Sequence, residues 1–211
     1  MDPWPLRHLV LRTPRLELRP DDDPGLIELA EVARRGVHPP DSMPFLVPWT
    51  QRPPHEWLQH YWLARGGLSP ANWTLNFLVR LDGRVIGMQG MSAKDFTITR
   101  EVNTGSWLGM SHQGHGYGTE MRAAVVMFAF DLLHAVRMTS GAFADNAASH
   151  TVSRKLGYRP DGTERLAVNG KPVTNVRLLL TPETFVRPQW PVEVAGLDGC
   201  AKLLGSGVSD R

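Results

Sequence analysis

The run Trp107-Leu108-Gly109-Met110-Ser111-His112-Gln113-Gly114-His115-Gly116-Tyr117-Gly118-Thr119-Glu120 passes from an apolar strand, through a glycine turn, into the start of a helix. The turn carries the spacing Gln113-x-x-Gly116-x-Gly118. A helix N-terminus leaves backbone N–H groups unpaired and carries partial positive charge, so it is a ready anion site. Glycine lets an anion approach that backbone with no Cβ in the way. A P-loop would need a lysine after its last glycine, and none follows here. A dinucleotide fingerprint needs Gly-x-Gly-x-x-Gly, whereas Gly114, Gly116 and Gly118 are followed by Thr119 and Glu120. A left-handed glycine turn that binds nothing satisfies the same letters.

The elements around this run read as a mixed α/β chain. Leu9-Val10-Leu11 and Leu16-Glu17-Leu18-Arg19 form strand character around a Thr13-Pro14 turn. Asp21, Asp22 and Asp23 precede Pro24 and the periodic Leu26, Leu29, Ala30 and Ala33, a capped helix start whose acids suit the positive end of the dipole. That reading takes precedence over a carboxylate metal site. Prolines then accumulate to Pro54, with Phe45, Leu46 and Trp49 among them, and a helix over about 55–65 carries Trp57, Leu58, Tyr61 and Trp62. Strands over 73–81 and 85–90 flank the hairpin turn Asp82-Gly83. A third strand, over about 103–110, leads into the glycine loop. Met121, Ala124, Val125, Phe128, Ala129 and Leu132 share one helical face beyond the loop. A strand at 137–143, a short helix opened by Asn146 and closed at Leu156-Gly157, and two strands around Asn169-Gly170 complete the order. Residues 1–185 read as the domain, and 186–211, rich in Pro, Gly and Ser, as an appendage.

The second informative segment is Asn146-Ala147-Ala148-Ser149-His150-Thr151-Val152-Ser153-Arg154-Lys155-Leu156-Gly157-Tyr158. It resembles the Asn-x-x-Ser-x-x-Val-x-x-Lys-Leu-Gly-Phe/Tyr segment of the GNAT superfamily of N-acyltransferases. The glycine loop is similar to that superfamily's Gln/Arg-x-x-Gly-x-Gly/Ala pyrophosphate loop. Both occur in the family's order, one helix and one strand apart. The phrase from Leu11 to Pro20 further resembles the branch acting on N-termini of ribosomal proteins, and the overall wording an actinobacterial branch that includes succinyl-CoA users. The likeness covers about residues 9–181.

The resemblance implies one splayed, mostly antiparallel, seven-stranded sheet flanked by helices, with acyl-coenzyme A (acetyl-CoA or succinyl-CoA) entering the splay. It implies contacts to that co-substrate from Leu108, Gly109, Met110, Gln113, Gly114, His115, Gly116, Tyr117, Gly118, Thr119, Asn146, Ser149 and Ser153. An oxyanion donor is expected among the N–H groups of Leu108 to Met110. Many relatives place a thiolate-protonating tyrosine where Ser153 stands; the ribosomal-protein branch uses the serine three residues after the asparagine, here Ser149. Glu101 precedes the strand where some relatives carry a base glutamate. The glutamate that the ribosomal-protein branch draws from its penultimate region is missing from Leu166-Ala167-Val168, with Glu164 slightly earlier. His115 reads as phosphate-adjacent.

Acyl transfer from a thioester needs a neutral amine, a donor for the oxyanion and a proton for the thiolate, and no covalent enzyme intermediate. The lone Cys200, near the C-terminus, is not needed for it. One cysteine excludes an intrachain disulfide, no Cys/His spacing suggests a metal, and the net charge of +2 is scattered, against a nucleic-acid surface. No apolar run or leader pattern points to a membrane, so a cytoplasmic protein is expected. Phe45, Trp49, Trp57 and Trp62 are acceptor-cleft candidates, with Trp57 and Trp62 preferred as core anchors. Asp41 and Glu56 are the acids near that cleft, and Arg52 and Arg80 the candidate partners of a succinyl carboxylate. The expected acceptor is an amine of a protein or small molecule; the sheet end and the tail are the candidate surfaces for self-association, which the sequence does not establish. The alternatives are an acyl-CoA-binding or sensing module on the same fold, and a nucleotide-binding regulator.

Overall fold

The computed structural model describes residues 2–206. Strands β1 (Val10–Arg12) and β2 (Leu16–Pro20) turn about Thr13, whose N–H and Oγ1 both reach the Leu16 carbonyl. Helix α1 (Asp23–Arg34) starts where Asp22 accepts from the Gly25 N–H at 2.6 Å, the expected acidic cap. Helix α2 (Pro54–Gly66) follows the proline-rich segment. Strands β3 (Trp73–Leu81) and β4 (Arg84–Ala93) are joined at Asp82 and Gly83, both with positive φ as a tight hairpin requires. A single turn, α3 (Phe96–Thr99), leads to β5 (Glu101–Leu108).

Beyond the glycine loop, α4 (Tyr117–Met127) continues into a π-helical turn (Phe128–Leu132), then β6 (Arg137–Phe143), α5 (Ala147–Lys155), β7 (Arg159–Val168) and β8 (Lys171–Leu180). The tail adds β9 (Glu193–Ala195) and α6 (Leu197–Cys200).

All nine strands form one sheet, in the order β7-β8-β6-β5-β4-β3-β2-β1-β9. Among the described residues only β5 and β6 pair in parallel. Seven strands were expected. The count rises because the Thr13-Pro14 turn divides the first strand and because β9 adds to the β1 edge at Val10↔Ala195. The segment beyond 185 is laid over the body: Cys200 and Leu204 are fully buried in the main core, and Trp190, Val192 and Leu197 pack against it. Residues 207–211 of the expected appendage lie outside the described residues.

Two apolar clusters divide the sheet. One face holds α4, whose Met121, Ala124, Val125 and Phe128 pack on Leu18, Phe77, Val79 and Val102. The other holds α1 and α2, with Leu26, Leu29, Trp57 and Tyr61 against Leu78, Val85 and Trp107. α4 is therefore buried on nearly every side, which places its N-terminus and glycine loop rigidly beside the end of β5.

Candidate active site

The parallel pairing of β5 and β6 runs only from Glu101↔Arg137 to Thr104↔Ser140. Past it, residues 105–108 of β5 stay paired with β4, and residues 141–143 of β6 stay paired with β8. The sheet therefore parts between its two central strands.

Strand parity decides what faces this gap. The Gly109 N–H donates to the Ile86 carbonyl at 3.0 Å, extending the antiparallel register of Gly87↔Leu108 and Met88↔Trp107. Hydrogen-bonded and non-bonded pairs alternate in such a ladder. Gly105 and Trp107 thus turn their polar groups to β4, and Thr104, Ser106 and Leu108 turn theirs to β6. The Thr104 carbonyl accordingly accepts from Ser140 Oγ at 3.1 Å. Beyond the parting, the N–H groups of Ser106 and Leu108 face the gap.

This corrects the expected oxyanion donors. Gly109 donates to Ile86, and Met110 to the Gly36 carbonyl at 3.0 Å, so of the three only Leu108 is free to serve the gap. Ser106, which sequence reasoning missed, joins it. No spacing in the sequence reveals this, because it depends on strand register.

The glycine loop closes the outer end. Gln113 Nε2 donates to the Leu108 carbonyl at 2.9 Å and to the Val37 carbonyl at 2.8 Å, so its side chain fastens the loop to β5 and to the segment after α1. Gly114 and Gly116 take φ of 80° and 84°, left-handed values that disfavour a side chain. The Gly116 carbonyl accepts from Thr119 and Glu120, while the N–H groups of residues 114–118 have no backbone acceptor outside the helix. They form the unpaired donor cluster of a helix N-terminus. A Cβ on Gly118 would stand 3.6 Å from Val152 and 3.9 Å from Leu108, ordinary contact distances, so the packing of α4 on α5 and β5 does not itself require a glycine there.

A brace absent from the sequence reading holds the loop from below. Glu120, 7% exposed, accepts from Thr13 Oγ1 at 2.6 Å, the Arg15 N–H at 3.1 Å and Arg15 Nε at 2.6 Å. Arg15 also donates to the His115 carbonyl and lies 4.6 Å over the Tyr117 ring. The signal for Glu120 was an acid on the first turn of a helix whose residues are mostly apolar.

Across the gap, Asn146 Oδ1 caps α5 by accepting from the Ser149 N–H at 3.1 Å. Asn146, Ser149 and Ser153 share one face of α5; Ser149 is half-buried, and Ser153 is 1% exposed with a hydroxyl that meets no partner. Tyr158, expected as a core residue, is buried with its hydroxyl 3.5 Å from Thr104 Oγ1. Burial pushes that phenol's pKa up.

Other expected residues lie elsewhere. Glu101 sits at the opposite end of β5, ion-paired with Arg137 at 3.1 Å and roughly 16 Å from Ser106 by strand rise. Glu164 faces Arg177 on the β7–β8 hairpin. Arg80 is engaged by Glu28 and the Gly83 carbonyl, away from the gap, and Arg52 is exposed. Trp57 is a core anchor, but Trp62 is 47% exposed and donates to Asp23, because it points off the outer side of α2. Asp41 and Glu56 are exposed. Phe45 and Trp49 are half-buried in a chain of rings from His38 to Trp107, with Trp49 5.0 Å from Trp107. Those rings cover the sheet face opposite α4. Among the described residues no cluster of His, Cys, Asp or Glu could hold a metal, and no helix of the described residues is long and apolar enough to cross a membrane.

Residues 9–159 match the acetyltransferase (GNAT) domain family. Among solved structures, RimJ of Mycobacterium smegmatis in complex with CoA-disulfide is 20% identical, covering 85% of this chain and 90% of that one, with a TM-score of 0.67. RimL, a ribosomal L7/L12 α-N-protein acetyltransferase in complex with coenzyme A, is 20% identical over 80% of this chain and 95% of that one, with a TM-score of 0.64. A GCN5-related N-acetyltransferase from Brucella melitensis is 17% identical over 83% and 79%, with a TM-score of 0.67. The parted sheet and the loop beside it are thus found within a stretch that spans most of the chain, and the protein belongs to the GNAT acetyltransferase family.

Proposed function

We propose that this protein is an acyl-CoA-dependent N-acyltransferase that moves an acetyl or succinyl group from coenzyme A to a primary amine. The acceptor is a protein N-terminus, a lysine or a small molecule. The observation that carries the reading is the joining of two donor sets: unpaired N–H groups of residues 114–118 at the mouth of the gap, and those of Leu108 and Ser106 along it. A pyrophosphate fits the first, and the amide-bearing pantetheine arm fits the second, as an added strand would. Gly114, His115, Gly116, Tyr117, Gly118 and Thr119 hold the phosphates, and Gln113, whose donors are bound to Met110, Val37 and Leu108, shapes the loop; Asn146 and Ser149 border the arm.

The thioester supplies an activated acyl group. The chain orients it on the Ser106 and Leu108 edge, and Ser149 gives the departing sulfur a hydrogen bond. The acceptor amine approaches from the face covered by Phe45, Trp49 and Trp107, with its proton passing to water.

Titration with acetyl-CoA, succinyl-CoA, free CoA, ATP and NAD tests the reading, followed by mass spectrometry of amine acceptors. CoA compounds should bind, and Gly116→Glu should abolish binding by adding negative charge and a side chain at φ 84°. Preference between the two acyl-CoAs names the donor. CoA compounds that fail to bind refute the proposal. A sensing module is the second reading, favoured by the serine at position 153 where many relatives carry tyrosine. Ser149→Ala separates the two: an enzyme loses turnover with donor affinity little changed, and a sensor has none to lose.

A further inference from the structure

At the inner end of the gap lies a buried cation with no counter-ion among the described residues. Arg122, on α4, is 4% exposed. Its Nη2 donates to Ser106 Oγ at 2.9 Å and its Nη1 to Ser140 Oγ at 3.2 Å, so the guanidinium spans β5 and β6 where they part. Its Nε has no partner. Among the described residues no carboxylate bears on it; the nearby titratable group is the Tyr158 phenol. Glu120, two residues earlier on the same helix, is turned to Arg15 and Thr13. A second orphan stands beside the first: Gln89, directly opposite Ser106 in the register and fully buried, leaves its Oε1 without a donor. An unpaired buried charge is costly, and an apolar replacement of similar volume is often neutral or stabilising. The charge is therefore to be explained by what enters the gap.

The outer end of the gap takes the phosphates, so the arm's sulfur reaches inward, towards Ser106 and Arg122. We infer that Arg122 is the electrostatic partner of the coenzyme A sulfur, holding the negative charge that develops there as the acyl group leaves. This rests on the reading of the gap as the acyl-CoA site. In the transfer the amine nitrogen forms a C–N bond with the acyl carbon. The C–S bond breaks with its electron pair on sulfur, and the proton shed by nitrogen ends, through solvent, on the thiolate or remains in water. A fixed cation stabilises that sulfur without reorganising.

The test reads binding as well as rate. With the full chain, dissociation constants for CoA and for desulfo-CoA, which lacks the thiol, are measured between pH 6.5 and 9. A cation favours the thiolate, depressing the bound thiol below its value in free CoA. CoA should therefore bind about tenfold tighter as pH rises, relative to desulfo-CoA. His112 and His115 at the loop and His150 on α5 act on both ligands alike, so the difference isolates the thiol. Arg122→Met should remove the difference, lower kcat on acetyl-CoA about a hundredfold with KM little changed, and leave the melting temperature equal or higher. Arg122→Lys should retain the pH difference in part.

Parallel curves for CoA and desulfo-CoA in the unsubstituted protein overturn the inference. So does an Arg122→Met loss confined to succinyl-CoA, which would make the guanidinium a reader of the acyl carboxylate. A lower melting temperature with unchanged kcat would make it a structural tie, again overturning it. Failure of CoA to bind at all refutes the acyl-CoA reading itself, and CoA binding without the pH difference refutes only the role of Arg122.

Discussion

Removing Glu120 should loosen the floor of the glycine loop, and the structure fixes how much. Glu120→Ala deletes the acceptors of Thr13 Oγ1 at 2.6 Å, the Arg15 N–H at 3.1 Å and Arg15 Nε at 2.6 Å. Hydrogen bonds to a charged group contribute about 1.5–3 kcal/mol each. The guanidinium side chain is 45% exposed and can turn to water, so its share is discounted towards the surface value of below about 1 kcal/mol. The turn's two bonds then dominate, for a total loss of about 3–5 kcal/mol. In a chain of this size each kcal/mol shifts the melting temperature by about 2–4 °C, so a fall of roughly 10 °C is expected in thermal unfolding. Glu120→Gln keeps an acceptor for Thr13 and Arg15 while giving up the charge, and should lose about 1–2 kcal/mol. CoA affinity should fall in the same order, because Arg15 carries the His115 carbonyl and the Tyr117 ring. A Glu120→Ala protein within 1 kcal/mol of the parent, or a glutamine variant as unstable as the alanine one, would refute this reasoning.

Three further outcomes follow from burial and backbone geometry. Gly157 has φ 90°, and a Cβ there would stand 2.0 Å from the Thr184 carbonyl oxygen, so Gly157→Ala should lose about 3 kcal/mol or more by chemical denaturation, against only the left-handed strain of about 1 kcal/mol for Gly170→Ala, where nothing crowds a Cβ. Burial pushes the Asp21 carboxyl up to about 7 despite Arg65 3.0 Å away. Between about pH 4 and 7 the folded state then keeps a proton that the unfolded chain has lost, so stability falls as pH rises, by up to about 1.4 kcal/mol per unit. Asp21→Asn should gain on the parent across that window in urea titrations; a constant difference at every pH would exclude the effect. Cys200 is fully buried, donates to the Gly196 carbonyl, and has its thiol pushed up to about 11. A thiol reagent at pH 8 should label it at the unfolding rate, and rapid labelling of the native protein would contradict this burial.

What the sequence disclosed follows the range of the forces involved. The Asp22 and Asn146 caps, the Asp82-Gly83 and Asn169-Gly170 turns and the left-handed Gly114 and Gly116 are set within four residues of chain, and each lies where its local chemistry puts it. Positions fixed by pairing were not legible. Glu101 and Ser106 are five residues apart on one strand, yet the first is bound to Arg137 and the second borders the gap, a distinction that only the register of β5 against β4 and β6 creates. Arg122 reads as one more polar residue on an amphipathic helix until α4 is covered on all sides. The strand at Glu193–Ala195 is short and flanked by proline and glycine, and it takes strand form because the edge of β1 is there to receive it.

The same parity yields a test that needs no substitution. In the outer half of β5, Gly105 and Trp107 donate to β4, whereas Ser106 and Leu108 turn towards a strand that has moved away. A buried amide without an acceptor is costly, so these two N–H groups await a partner. Native-state hydrogen exchange followed by NMR should therefore alternate along the strand, with Gly105 and Trp107 slow and Ser106 and Leu108 fast. An added strand-like ligand would reverse only the fast pair. Saturating CoA should slow Ser106 and Leu108, together with Gly114, Gly116 and Gly118 at the loop, and leave Gly105 and Trp107 unchanged. Uniform protection along β5 in the free protein would mean that the strands do not part as described. Slowing at the loop alone would place the phosphates correctly and deny the pantetheine arm its edge.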